Sequence, residues 1–163
     1  MIIDNNDSYG RIRGMLAITT IFFATLIAVS ILYDIFPKYL IPMSQTAYAL
    51  SFGGLFIIYL IYRVGLKYHY IIYNDESNKI ILRHYPFTSF FNTKYTSIEI
   101  PFNTLYKIEI QKAFFKMREE LIIYQTLKEG VSKYKPIPLT ALTKKEKKDL
   151  INALNQHARI KMQ

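Results

Sequence analysis

Three histidines, two adjacent pairs of carboxylates (Asp75-Glu76, in a turn, and Glu119-Glu120) and two basic loops rich in phenylalanine are the residues of this chain with the types for chemistry. His69, His84 and His157 fall at no spacing typical of metal ligands. Glu119 and Glu120 are neighbours in a stretch that reads as a strand, where consecutive side chains point to opposite faces, so they share no site. No G-x-S-x-G, H-E-x-x-H or P-loop pattern occurs, and Gly53-Gly54 leads into an apolar run rather than a phosphate-cradling turn. Cysteine is absent, which excludes disulfides and cysteine-ligated metals. These residues predict a protein that is not an enzyme and carries no cofactor and no metal.

The two loops are the remaining constellation. Pro86–Tyr95 (PFTSFFNTKY) carries Phe87, Phe90 and Phe91, and Gln111–Arg118 (QKAFFKMR) sets Phe114 and Phe115 among Lys112, Lys116 and Arg118. Rings beside cations suit a bilayer interface, where the ring enters the headgroup layer and the cation meets phosphate. The same mixture suits a protein interface, in which aromatics and Arg concentrate binding energy. A third reading is that the rings plug the ends of a sheet domain. All three stay open at this level.

The elements that position these loops begin with two uncharged apolar runs, residues 15–33 and 43–62. A helix of about 20 residues rises about 30 Å, the thickness of a bilayer's hydrocarbon core. The first run is longer than the apolar core of a cleavable signal and lacks an A-x-A site, so it reads as an uncleaved anchor. The connection DIFPKYLIP holds two prolines and makes the pair a helical hairpin. Arg11 and Arg13 precede it, and Arg63 and Lys67 follow it, which predicts an inner-membrane protein with both termini cytoplasmic. Neither run holds an Asp, Glu, Lys, Arg or His side chain, so no proton or ion path is expected within it. Small residues (Ala24, Ala28, and Ala47, Ala49, Ser51, Gly53, Gly54) predict close helix packing, within the hairpin or against spans of another protein.

The predicted organisation is therefore a cytoplasmic segment 1–14, a transmembrane hairpin 15–62 and a cytoplasmic domain 63–163. Residues 1–62 are charge-balanced, and the domain supplies the whole net charge of +9. Such a domain beside a bilayer is drawn to anionic lipid, at about 1 kcal/mol per nearby Lys or Arg. The bilayer and anionic lipids, rather than nucleic acid, are the expected partners of that charge.

Within the domain, 68–73 and 79–84 flank the polar cluster NDESN and read as a β-hairpin. Ile98, Ile100 and Phe102 alternate with polar residues, as do Tyr106, Ile108 and Ile110, the pattern of a half-buried antiparallel sheet. Residues 119–127 give a further strand, and 131–139 a last one, confined by Pro136 and Pro138 to a sheet edge. Thr143-x-x-Glu146 is a capping box opening a helix whose apolar stripe is Leu150, Ile151, Leu154 and Ala158. The lysines at 144, 145, 147 and 148 cover its other face.

A helical hairpin, then SIEIPFNTLYKIEI, then PIPLTALTKKEKKDLINAL, in which a last strand runs into a capping helix, resembles the small bacterial membrane proteins with two N-terminal spans and a pleckstrin-homology-like (PH-like) domain. The resemblance implies an α+β membrane protein whose antiparallel β-barrel or sheet is closed by a C-terminal amphipathic helix. It implies a binding role, as adaptor or accessory subunit of a membrane protein assembly or as a homo-oligomer. The first hairpin loop bears Asp75 and Glu76 where phosphoinositide-binding relatives carry basic residues, which argues against inositol phosphate recognition there. Two other classes fit the same features, an immunity-type protein against a membrane-targeted toxin and an anionic-lipid sensor.

Overall fold

The computed structural model describes residues 1–33, 43–76, 78–87 and 96–160. The chain forms two compact units, one of Arg11–Gly65 and one that joins Met1–Gly10 to Leu66–Gln163.

The first unit is made of α1 (Asn6–Leu32, whose first turn belongs to the other unit) and α2 (Gln45–Leu66). Both are long and apolar enough to cross a membrane. Their polar side chains are satisfied along the helix: the hydroxyls of Thr19, Thr20, Thr25 and Ser30 donate to the carbonyl four residues back at 2.7–2.9 Å. That arrangement leaves few groups needing water in an apolar environment. Phe23 packs between the helices, its ring 5.3 Å from Phe56 and 6.2 Å from Tyr59. The glycines do less than their spacing implied. A Cβ at Gly53 or Gly54 would meet nothing within 4 Å, so neither marks a close approach of the two helices. The rings of Phe23, Phe56 and Tyr59 meet there instead.

The second unit holds two antiparallel sheets. Strands β1 (Ile2–Asp4), β2 (His69–Asn74), β3 (Lys79–Pro86) and β4 (Thr96–Pro101) follow one another in order across the first. In the second, β5 (Leu105–Ala113) pairs β6 (Arg118–Leu127), whose other edge takes β7 (Gly130–Lys133) and β8 (Ile137–Pro138). The stretch expected as one last strand is thus split in two, and it lies at an edge, as its prolines require. α3 (Lys144–His157) opens on the expected capping box: Thr143 Oγ1 accepts from the Glu146 amide at 3.2 Å, and Glu146 Oε2 from the Thr143 amide at 2.6 Å.

One core serves both sheets and the helix. Ile71, Ile80, Leu82 and Ile100 from the first sheet, Leu105, Leu121 and Ile123 from the second, and Leu150 and Leu154 of α3 belong to one cluster of buried side chains. The sheets do not close into a barrel. Pro101 and the 3-10 turn Phe102–Thr104 separate β4 from β5 along the chain, and no strand pairing joins the two sheets among the described residues. The edge of β5 is instead met by the chain after α3, where the Arg159 and Ile160 amides donate to the Leu105 and Tyr106 carbonyls at 3.1 and 2.9 Å.

β1 is absent from the sequence expectation, which set residues 1–14 apart as a segment of their own. Ile2, Ile3 and Asp4 pair with Asn74, Tyr73 and Ile72, so the chain on either side of the two long helices enters one sheet.

Candidate functional site: the end of the domain where the chain leaves and returns

The chain leaves the sheet domain at Gly10 and returns at Leu66. A short series of hydrogen bonds shows what surrounds that exit. Asn5 bonds the first residues of β2 through its side chain, with Oδ1 accepting from the Ile71 amide at 2.8 Å and Nδ2 donating to the His69 carbonyl at 3.1 Å. Thr140 Oγ1 donates to the Leu66 carbonyl at 2.9 Å, and the adjacent Leu139 amide donates to the Glu119 carbonyl at 2.8 Å. The start of β6, and with it the β5–β6 loop, therefore lies at the same end as Leu66. So does the start of the β3–β4 connection, because Pro86 pairs with His69 and the Phe87 amide donates to the Tyr68 carbonyl at 2.9 Å. Antiparallel pairing brings Phe87 and the β5–β6 loop to one end, and leaves Asp75 and Glu76 at the other.

The candidate residues differ in environment. Phe90 and Phe91 lie outside the described residues. Phe87 is half-buried in a group of four rings: Tyr9 meets Tyr70, Tyr85 and Phe87 edge-on at 5.6, 6.0 and 5.6 Å. This group pins the first turn of α1 to the outer face of the β2–β3 hairpin. Burial, then a hydrogen bond to Asp4, pushes the Tyr70 hydroxyl up to about 12. Arg118 is 9% exposed and pairs with Glu120, also 9% exposed, through Nη2 and Oε1 at 2.7 Å. It is a buried structural cation, so the exposed cations of the second loop are Lys112 and Lys116. Glu119 points away from Glu120 and takes Lys147 of α3 at 2.5 Å, as strand alternation requires.

The loop itself, Phe114 to Met117, is a tight turn closed by the Met117 amide donating to the Phe114 carbonyl at 3.0 Å. Phe114, Phe115 and Lys116 all have left-handed backbone, with φ of 47°, 54° and 66°. Phe115 is 86% exposed, the most exposed large apolar side chain among the described residues.

His69 and His84 were missed as a pair, because 15 residues separate them and only strand register joins them. His84 stands opposite Ile71, diagonal to His69 on one face, and the rings stack with Nδ1 to Nδ1 at 3.1 Å. At that distance one Nδ1 donates and the other accepts, so the contact excludes protonation of both rings together. Burial is the main cause that lowers His69 to about 4, followed by the charges of His84, Lys67 and Arg118; burial also lowers His84. Those cations disfavour a bound metal, and among the described residues no three His, Asp or Glu side chains cluster as ligands. The unfolded chain, with ordinary histidines, takes up protons as pH falls below about 6.5 while the folded domain resists until about 4. Stability present near pH 7 is accordingly expected to decline across that window by about 2 kcal/mol, allowing for partial solvent access. Urea unfolding at pH 7 and pH 4.5 measures it. H69Q should flatten the slope, and an unchanged slope in H69Q removes the pair as the cause.

No protein family, curated protein or solved structure matches this chain.

Proposed function

We propose that this chain is a non-enzymatic membrane protein whose two helices cross the cytoplasmic membrane of a bacterium and hold a PH-like domain at its inner face, as adaptor or accessory subunit of a membrane protein assembly. The observation that carries the reading is the pairing of β1 with β2. One strand precedes the helices and the other follows them, so a hairpin crossing the bilayer twice returns the chain to the side it left. Arg11, Arg13, Arg63 and Lys67 flank the apolar runs, and such flanks favour the cytoplasmic side. Two antiparallel sheets and a C-terminal helix over one core support the PH-like assignment, with the sheets open where Pro101 and Phe102–Thr104 separate them.

A protein without cysteine lends itself to a topology test, since each introduced thiol is unique. In intact cells, I2C and E129C are expected to stay protected from a membrane-impermeant maleimide, whereas K38C, in the connection between the helices, reacts. Labelling of I2C but not E129C would contradict the shared side that β1–β2 pairing demands. The adaptor role is tested by purification in mild detergent followed by mass spectrometry. Stable recovery with the subunits of one membrane complex supports it; recovery of the chain alone, with sensitivity to a membrane-targeted toxin on deletion, replaces it by the immunity reading.

A further inference from the structure

We infer that the β5–β6 tip is a bilayer contact, in which Phe115 and Met117 enter the headgroup layer of the membrane that the two helices cross, while Lys112 and Lys116 meet the phosphates of anionic lipids. This rests on the spanning reading above. Four observations carry it.

Position comes first. The tip immediately precedes β6, whose second residue is joined through Leu139 and Thr140 to the carbonyl of Leu66, the residue at which the chain returns from the long helices. A loop at that end stands beside the point where the chain would emerge from lipid.

Exposure comes next. Phe115 is 86% and Met117 57% exposed, more and about as much, respectively, as apolar side chains on the helices themselves, such as Leu50 at 72% and Leu55 at 55%. An apolar ring held so far from the core contributes nothing to it.

The backbone gives the third argument. Left-handed conformation is unfavourable for an ordinary residue, and Gly, Asn or Asp is the usual occupant. Here three such positions in a row, Phe114, Phe115 and Lys116, hold large side chains. A turn made only to reverse the chain has no need of them, and of the three side chains Phe115 and Lys116 are exposed.

Charge is the fourth. Lys67, Lys112, Lys116, Lys144 and Lys145 are exposed at or next to this end. Of the acids there, Glu119 is paired with Lys147, Glu120 with Arg118, and Glu146 is engaged in the capping box, leaving Asp4 and Asp7 as the exposed acids against five exposed lysines. The opposite end carries the Asp75–Glu76 turn. A cationic rim around an apolar tip matches an anionic lipid surface.

The chain contains no tryptophan, so a single indole reports depth without background. Full-length F115W, L55W and V131W are reconstituted into vesicles of phosphatidylcholine and phosphatidylglycerol with bromine on the acyl chains near the headgroup or deeper. L55W tests the spanning helix, and V131W, on β7 at the other end of the second sheet, is the control. The expected result is blue-shifted emission from F115W with quenching by the shallow bromines, strong quenching of L55W, and emission from V131W as in water. The F115W signal should weaken when K112E and K116E are added. Water-like F115W emission alongside a quenched L55W overturns the tip contact while leaving the spanning helices intact, and leaves the tip to a protein partner. An unquenched L55W removes both readings, and quenching of V131W equal to that of F115W also overturns the specific contact. In F115G, the thermal transition is expected to stay or rise because glycine relaxes the turn; a large fall would make Phe115 a structural residue and defeat the proposal.

Discussion

Replacement of Arg118 by alanine is expected to destabilise the sheet domain by about 3–5 kcal/mol, the cost of leaving one member of a buried ion pair without its partner. Arg118 and Glu120 lie two residues apart on the same face of β6, each 9% exposed, with a 2.7 Å contact between them. In water such a pair contributes little, because solvent screens it and the side chains give up freedom to form it. Here the larger effect is on what remains: a carboxylate kept from solvent beside β8, where Glu120 stands opposite Pro138. The double replacement R118M/E120L removes both charges and should recover most of the loss, since apolar residues of similar size satisfy the same space. Urea unfolding of the full chain in nanodiscs measures both variants. Equal stability of R118A and the parent would mean that the pair is solvated and its burial is not felt.

The second large effect is expected at Asn5. Its side chain is fully buried and does what one more residue of strand would do, accepting from the Ile71 amide and donating to the His69 carbonyl. Its own carbonyl accepts from the Tyr9 amide at 2.9 Å, so a single residue ends β1 and begins α1. Alanine at this position strands a buried amide and a buried carbonyl, each worth about 1–3 kcal/mol when left without a partner. The expected loss for N5A is about 2–4 kcal/mol, concentrated where β1 meets β2. Hydrogen exchange reads it directly: protection of the Ile71 amide should fall by about 30- to 1000-fold relative to the parent. Unaltered protection at Ile71 would show that water replaces the Asn5 side chain without penalty. Because β1 precedes the helices and β2 follows them, this local bond also bears on how firmly the chain's two flanks are held together.

Much of the domain was legible because its signals are local. Alternation over 97–102 and 106–111 depends only on the pleat of a strand, and β4 and β5 cover those stretches except for Phe102, which falls in the 3-10 turn. The capping box needs three residues' separation and nothing else, and it closes as written. The apolar runs marked the long helices for the same reason, although α1 begins nine residues earlier than its run does, at Asn6 rather than Met15. Charged and polar residues in the first turns hid that start: Asp7, Arg11 and Arg13 belong to the helix but not to the apolar stretch.

What sequence alone determined is the identity of elements whose cause lies within a few residues: two helices with the length and composition to cross a bilayer, a run of antiparallel strands, and a capped amphipathic helix. Tertiary structure decided every feature that joins residues far apart. Ile2–Asp4 is too short to signal a strand and exists because β2 offers it an edge. His69 and His84 become a pair only through the register of β2 with β3. Arg118, one cation among 21 in the sequence, is separated from Lys112 and Lys116 by burial alone. Phe87 joins a ring cluster whereas Phe115 points into solvent, a distinction that their similar surroundings of rings and cations could not express. The reason is common to all four: local propensity is written in neighbours along the chain, while pairing, burial and exposure are set by which distant segments the packed core brings to the same place.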